Sequence, residues 1–269
     1  MYLCRHMKEG YLACCKLENL QTATAQVVYE YRLYRNLAKT PAASFVPKVY
    51  KQSEAGDFRY MVMELGGKDL SSIIDTHSEY EKMLVFYNLL SALRAIHNSG
   101  LVHRDIKPKN ILLKPGSRTD ILIVDLGLSK ICRSGLKHIP NRNKSSMAGT
   151  SRYASIPSQM CTQTSRRDDL FSLCYTMLVL FGRTLPWQSL NIEDKKKKMK
   201  ETVRLKRFMT PEEVCKNCPD PIRVIYTMVM QLGFSQRPEY EIYQEIINKH
   251  IQKLEERRYA VLNTAGQGR

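Results

Sequence analysis

The fold of this 269-residue chain is decided by the stretch His103-Arg104-Asp105-Ile106-Lys107-Pro108-Lys109-Asn110. The stretch places a carboxylate, an ammonium group and an amide at fixed spacing, with Asp105 followed by Lys107 and then Asn110. A carboxylate at such a position can meet a substrate hydroxyl, and the amide can reach back to a metal ion. A surface charge cluster easily produces His-Arg-Asp alone but not the whole string, so the string predicts a catalytic loop.

A second carboxylate follows an apolar strand downstream, in the string Asp125-Leu126-Gly127. Alone, Asp-x-Gly is typical of a turn, and its place after the catalytic loop makes it specific. Phosphoryl transfer requires the protein mainly to position two reactants and to neutralise phosphate charge. We expect Asp105 to orient an acceptor hydroxyl and Lys107 to lie over the transferring phosphate. Asn110 and Asp125 would hold magnesium.

These strings resemble the catalytic motifs of the eukaryotic protein kinases. Four further strings resemble one branch, the casein kinase one group and its relatives: Met61-Val62-Met63-Glu64-Leu65, Gly149-Thr150-Ser151-Arg152-Tyr153-Ala154-Ser155-Ile156, Ser165-Arg166-Arg167-Asp168-Asp169-Leu170 and Leu185-Pro186-Trp187-Gln188. The likeness spans residues 2 to about 250. It implies a bilobal α+β fold and a serine/threonine kinase that uses ATP and magnesium.

The resemblance divides the chain into a partial N-terminal lobe over 1–65, a larger helical lobe over 66–254 and a weakly ordered tail over 255–269. When the sequence is aligned with the family through Tyr2-Leu3 and Lys16, we expect it to lack the family's first strand and its Gly-rich loop, and Gly10 is the only glycine before position 56. We therefore expect an incomplete β-sheet with an exposed edge.

Residue patterns predict the main elements of both lobes. Alternation predicts strands, and apolar residues three and four positions apart predict helices. The expected strands cover 11–17, 58–65, 111–113 and 121–125, and the expected helices cover 22–38, 83–97, 169–181, 211–217, 221–232 and 239–254, with a loop over 132–151. The segment 169–181 is apolar nearly all round, as in a helix buried in a large core.

The ATP-binding residues are expected on the small lobe. Ala13-Cys14-Cys15-Lys16 resembles the kinase strand that carries the ATP lysine, and Glu30 lies on the predicted helix where it can pair with Lys16. An ordinary strand lysine is the alternative. Met63, Glu64 and Leu65 would form the hinge whose backbone meets the adenine ring, although core packing explains these three equally well.

The resemblance also implies a preference for acidic or already phosphorylated protein substrates. Arg166, Arg167 and Lys206 resemble the group's anion-binding positions, and guanidinium groups bind phosphate bidentately. The alternative for the two arginines is a structural pair that bonds loop carbonyls. The expected supports of the catalytic loop are His103, Arg104 and Asp169.

The composition favours certain classes of binding partner but does not identify one. Lys and Arg number 42 against 26 Asp and Glu, which gives a net charge of +16 and favours acidic partners. Eight cysteines without framework spacing, no signal peptide and no membrane-length apolar run suit a cytoplasmic or nuclear protein outside the membrane. We expect a monomer. The run Lys195-Lys196-Lys197-Lys198 is most often a solvated helix face or loop, and a nuclear-localisation or nucleic-acid role is the alternative.

Two other function classes stay open. A pseudokinase or phosphopeptide-binding scaffold with impaired ATP binding would explain the missing Gly-rich loop. A nucleic-acid binder would use the net charge, but the sequence holds no recognised nucleic-acid motif, so this class ranks last.

Overall fold

The computed structural model describes residues 1–134, 137–144 and 146–266. The strands are β1 (Tyr2–Arg5), β2 (Leu12–Asn19), β3 (Val49–Ala55), β4 (Phe58–Glu64), β5 (Leu101–Val102), β6 (Ile111–Leu113), β7 (Ile121–Ile123), β8 (Lys130–Ile131), β9 (Arg133–Ser134) and β10 (Lys137–His138). The helices are α1 (Gln26–Leu37), α2 (Glu79–Asn98), α3 (Ile156–Gln159), α4 (Arg166–Leu180), α5 (Lys195–Phe208), α6 (Pro211–Val214), α7 (Asp220–Met230) and α8 (Tyr240–Gly266).

The first four strands and α1 form a small lobe. The strands make one antiparallel sheet in the order β1-β2-β4-β3, with β1 at an edge, and α1 packs on one face of the sheet. Met61 and Met63 of β4 are buried on that face, because alternate side chains of a strand point the same way. The sheet lobe and the helical lobe that follows confirm the predicted α+β bilobal fold.

The helix α1 begins four residues after the predicted start at 22. The carboxylate of Glu18 on β2 accepts hydrogen bonds from the backbone N–H groups of Gln26 and Val27, at 3.0 and 3.4 Å. These amides open the helix and have no partner inside it, so the Glu18 carboxylate fixes where the helix starts. This contact joins β2 to α1, the two elements that carry Lys16 and Glu30.

The larger lobe is built on α2, α4, α7 and α8, which pack around one apolar core. A capping box begins α2: the Ser78 backbone N–H donates to Glu81 Oε2 at 2.9 Å, and the Glu81 N–H donates to Ser78 Oγ at 3.3 Å. The helix α4 is buried on nearly every side, as its apolar pattern predicts. The predicted strand at 121–125 ends earlier, at Ile123, because Asp125 has a left-handed backbone with φ of 67°.

The last helix, α8, continues past the predicted end at 254 to Gly266. Its later turns begin with good helix formers at 255–258 and contain no proline, and Glu255 Oε1 accepts a hydrogen bond from the Tyr80 hydroxyl at 2.8 Å. Residues 267–269 of the predicted tail lie outside the described residues. Neither α8 nor any other helix in the described ranges has the length and apolar character needed to cross a bilayer.

The predicted loop over 132–151 contains one short piece of regular structure. β9 and β10 pair antiparallel, with Arg133 opposite His138, and the remaining described residues follow an irregular path. Residues 135, 136 and 145 of this segment lie outside the described residues. The run at 195–198, expected on a solvated face or loop, forms the first turn of α5, where Asp194 Oδ1 accepts a hydrogen bond from the Lys197 N–H at 2.7 Å.

Candidate active site

Asp105 lies in the connection between β5 and β6, and three donors surround its buried carboxylate. Oδ2 accepts hydrogen bonds from Lys107 Nζ at 2.6 Å and from Asn110 Nδ2 at 3.1 Å, while Oδ1 accepts from the Thr150 backbone N–H at 2.8 Å. Burial acts to raise the pKa of Asp105, but hydrogen bonds from Lys107 and Thr150 hold that pKa below its usual value. Asp105 is therefore ionised at neutral pH and can accept a hydroxyl proton or orient the hydroxyl.

The 147–155 segment packs directly against the catalytic loop. Lys107 Nζ also donates to Thr150 Oγ1, at 2.9 Å. Gly149 has a φ of 88°, and a Cβ atom placed there would lie only 2.3 Å from the Arg104 carbonyl oxygen. Only glycine permits this approach, so Gly149 brings Thr150 within reach of Asp105.

The catalytic loop is fixed by a buried carboxylate on α4. Asp169 accepts hydrogen bonds from the backbone N–H groups of His103 and Arg104, at 2.7 and 2.8 Å, and from His97 Nε2 at 2.9 Å. Burial opposes its charge, yet these donors hold the pKa of Asp169 below its usual value. They also secure the left-handed backbone of Arg104, whose φ is 71°. The structure thus brings together the three residues predicted to support the loop.

The His103 ring joins the catalytic loop to the strand end that carries Asp125. Its Nε2 donates to the Val124 carbonyl oxygen at 3.1 Å, and its Nδ1 accepts the Asp105 N–H at 3.2 Å. The Val124 N–H in turn donates to the Asn110 carbonyl oxygen at 2.9 Å. Asp105 and Asp125 therefore belong to one hydrogen-bonded unit.

Asp125 turns its carboxylate towards the small lobe. Its Oδ1 lies 3.2 Å from Lys16 Nζ, and its side chain is 43% exposed, so the carboxylate also faces solvent. The left-handed backbone of Asp125 is fixed by its own N–H, which donates to the Tyr34 hydroxyl on α1 at 3.0 Å. Leu126 is fully buried, and a Cβ at Gly127 would collide with Gln26 and Glu30 of α1. The Asp-Leu-Gly string is thereby packed against α1.

Lys16 forms an ion pair with Glu30, as the sequence predicts. Burial acts against its charge, but Glu30 and Asp125 together raise the pKa of Lys16. Burial raises the pKa of Glu30, and the Lys16 ammonium opposes that rise. The ammonium group is therefore charged and held by two carboxylates, one from each lobe.

The three residues predicted as a hinge end the sheet and lead into the larger lobe. Met63 is buried and opposes Cys14 of β2, whereas Glu64 and Leu65 are half-buried. The Glu64 N–H donates to the Lys48 carbonyl oxygen at 2.8 Å. Leu65 follows the last residue of β4, so its backbone is outside the sheet pairing.

Residues 1–264 match the family model described as a protein kinase domain. The chain belongs to the protein kinase family. Membership implies phosphate transfer to protein substrates, and use of ATP and magnesium in general. The narrower resemblance to the casein kinase one group stays a prediction.

The donor atoms of this kinase fit a magnesium ion that carries a nucleotide. Magnesium binds few protein oxygens and keeps several water and phosphate ligands. Asp125 supplies one carboxylate that faces solvent. Asn110 uses its Nδ2 for Asp105, which leaves its Oδ1 for a metal. Lys16 would meet the phosphates.

The three predicted anion-binding residues lie apart from the catalytic loop contacts. Arg166 donates to the Ser235 carbonyl oxygen at 2.5 Å, and Arg167 donates to the Leu232 carbonyl oxygen at 2.9 Å. Both bonds match the structural alternative for these arginines. Lys206 is only 1% exposed, and its ammonium donates to backbone carbonyls of the 147–155 segment. Their anion-binding role stays a prediction. Carbonyl groups engage the Lys206 ammonium, whereas Arg166 Nε and Arg167 Nε are buried without a hydrogen-bond partner among the described residues.

A different basic cluster lies nearer the catalytic loop, and sequence reasoning missed it. Arg104, Lys130 and Lys144 are close enough that the first two help to depress the pKa of Lys144, which burial chiefly lowers to about 8. Among the described residues, the side chains of Lys130 and Lys144 donate hydrogen bonds to neutral groups, the Gln163 amide and the Thr164 hydroxyl. The available signal was their place in the chain, since Lys130 closely follows Asp125 and Lys144 lies in the predicted loop over 132–151.

Proposed function

We propose that this chain is a serine/threonine protein kinase that acts on acidic or already phosphorylated proteins. The observation that carries the proposal is the Asp105 carboxylate, which is ionised, nearly enclosed and bonded by Lys107, Asn110 and the 147–155 segment. A carboxylate held in this way is suited to orienting one hydroxyl for in-line transfer.

Each residue has a separate task in the transfer. Asp105 orients the acceptor hydroxyl and accepts its proton. Lys107, bonded to Asp105, places its positive charge where the transferring phosphate carries negative charge. Lys16 binds the phosphates of the nucleotide, and Asp125 and Asn110 hold the metal. Bound ATP with magnesium supplies the γ-phosphoryl group and additional positive charge.

The proposal that serine and threonine are the acceptor residues rests on Lys107. In the resemblance, a lysine two positions after the catalytic carboxylate accompanies kinases that accept aliphatic hydroxyls. Its contacts with Asp105 and Thr150 occupy the space beside the carboxylate. This arrangement supports a short acceptor side chain.

The proposed preference for acidic substrates rests on the cluster of Arg104, Lys130 and Lys144. Like charges repel here, since their proximity helps to lower the pKa of Lys144. A phosphate or carboxylate group bound among them would relieve this repulsion. The net charge of +16 adds a long-range attraction for acidic proteins.

Transfer from γ-labelled ATP to casein, with magnesium, tests the proposal. We expect labelled phosphoserine and phosphothreonine from the wild-type chain, and a loss of about a hundredfold or more for Asp105→Asn, because the proton acceptor is removed. Asp75→Asn is the matched control, since Asp75 is exposed and outside the site. Absence of transfer by a folded wild-type chain would contradict the proposal. Phosphopeptide binding without transfer would instead favour the scaffold alternative.

A further inference from the structure

A groove outside the active site runs between the end of α3 and α5. We name it the α3–α5 groove, with an apolar floor made by Met147, Met160, Met199 and Val203. It encloses about 680 Å³, which lies within the range of pockets that bind ligands. None of the proposed catalytic, ATP-binding or metal-binding residues lines it.

The floor of the groove is chemically adaptable. Methionine side chains are unbranched and polarisable, so they accommodate different apolar partners. Met160 leaves 55% of its side chain in water although it is a large apolar residue. The floor is therefore suited to large apolar side chains that another molecule brings.

The rim of the groove carries only positive charge. It is formed by Lys195, Lys196, Lys200 and Arg207, and no acidic side chain among the described residues lines the groove. These rim residues make no ion pair within the described part of the chain, whereas Arg204 on another face of α5 pairs with Glu201. Lys196, Lys200 and Arg207 follow one another by four and by seven residues, so they lie on one face of α5, beside Met199 and Val203. An occupant that complements this rim must therefore bring negative charge.

We propose that the α3–α5 groove docks an acidic segment of a partner protein. Leucine or phenylalanine side chains of that segment would lie on the methionine floor, and its aspartate or glutamate side chains would meet the rim. A nucleic-acid strand fits the groove less well, because no aromatic ring lines it for base stacking.

The groove also adjoins the 147–155 segment. Met147 belongs to both, and Gln159 Nε2, another lining residue, donates to the Ser151 carbonyl oxygen at 3.1 Å. A segment docked here lies next to the loop that positions Thr150. Docking itself needs no phosphate transfer, so it can be measured apart from activity.

Fluorescence anisotropy of a labelled peptide tests this site on the full chain. The probe contains Glu, Asp, Leu and Phe and lacks Ser, Thr and Tyr, so it cannot act as a phosphate acceptor. We expect saturable binding that the Lys196→Glu/Lys200→Glu variant weakens at least about tenfold, since two attractive contacts become repulsive. Lys216→Glu/Lys253→Glu is the matched control, with the same charge change at exposed residues outside the groove.

Two further comparisons separate docking in the groove from attraction by charge alone. Met160→Ser, a change at an exposed side chain, should weaken binding about threefold or more, and so should a probe with Gly in place of Leu and Phe. If both comparisons leave the affinity unchanged, or if the control variant weakens binding as much as Lys196→Glu/Lys200→Glu, the proposal is wrong. Tighter binding of a single-stranded oligonucleotide at the same residues would also overturn it.

Discussion

At the scale of single residues, Glu30 determines where Lys16, the proposed ATP-binding lysine, lies. It occupies the buried face of α1 with Val27 and Tyr34, and only 1% of its side chain is exposed. Its Oε2 has no hydrogen-bond partner among the described residues. Because burial raises the pKa of Glu30, its charge depends on the ammonium group of Lys16.

Lys16→Met should impair stability and activity for different reasons. The variant leaves the Glu30 carboxylate buried without its counter-ion, so we expect the free energy of unfolding to fall by about 1–3 kcal/mol. Adding Glu30→Gln should recover part of that loss, because a neutral amide tolerates burial better. Urea unfolding measures the stability, and casein phosphorylation should stay lost in both variants. A double variant no more stable than Lys16→Met would contradict this account of the pair.

The charge of Lys144 should make substrate preference depend on pH. With a pKa of about 8, Lys144 is charged below that pH and neutral above it, and a bound phosphate moves the transition upwards. The KM advantage of a phosphorylated peptide over its unphosphorylated twin should therefore shrink as the pH rises from about 7 to about 9. Lys144→Arg should keep the advantage, because a guanidinium group stays charged. If the KM advantage declined equally with pH in the wild type and in Lys144→Arg, Lys144 would be ruled out as the cause.

At the scale of elements, the 147–155 segment is tied to the larger lobe by side chains from three places. Trp187 Nε1 donates to the Arg152 carbonyl oxygen at 2.7 Å, and Ser172 Oγ donates to that of Tyr153 at 2.8 Å. Lys206 donates to the Ala154 carbonyl oxygen at 2.6 Å and lies over the Trp187 ring at 4.7 Å. Burial lowers the pKa of Lys206 to about 7, whereas the carbonyls and the ring face attract its charged form.

Lys206→Met should loosen this segment. The variant keeps the apolar stem but leaves the Ala154 carbonyl group without this donor, while Gln159 still donates to the Ser151 carbonyl oxygen. We therefore expect a loss of about 1–3 kcal/mol in unfolding free energy. Amide hydrogen exchange over 150–155 should become faster, and the KM for a peptide substrate should rise. Lys216→Met, at an exposed position, should leave the unfolding free energy, the amide exchange and the KM unchanged. Unchanged exchange in Lys206→Met would show that the other two anchors suffice.

At the scale of the whole molecule, the candidate site depends on contacts that cross between the lobes. Lys16 of the small lobe forms an ion pair with Asp125, and the Tyr34 hydroxyl accepts a hydrogen bond from the Asp125 N–H. α1 therefore links the sheet to the Asp-Leu-Gly string. A change that moves α1 would alter the positions of the Lys16 ammonium and the Asp125 carboxylate, the proposed metal ligand, together.

The sequence predicted the parts of this arrangement whose geometry is local. The catalytic loop holds Asp105 and Asn110 within one short turn, and their spacing alone indicates their contact. The burial of Lys206 was harder to predict, because a lysine on a highly basic helix is usually solvated. Its burial depends on Trp187 and on the path of the 147–155 segment, which no local pattern contains. Lys144 was missed for the same reason, since its basic neighbours are distant in sequence.

Binding of ATP, measured by calorimetry with and without magnesium, tests most directly whether these residues form one site. We expect the wild-type chain and the Asp75→Asn control to bind ATP at least about tenfold more tightly with magnesium. In Asp125→Asn, magnesium should have little effect. If the wild-type chain binds no ATP, or if magnesium strengthens binding equally in wild type and Asp125→Asn, then Lys16, Asn110 and Asp125 do not meet around a metal-bound triphosphate.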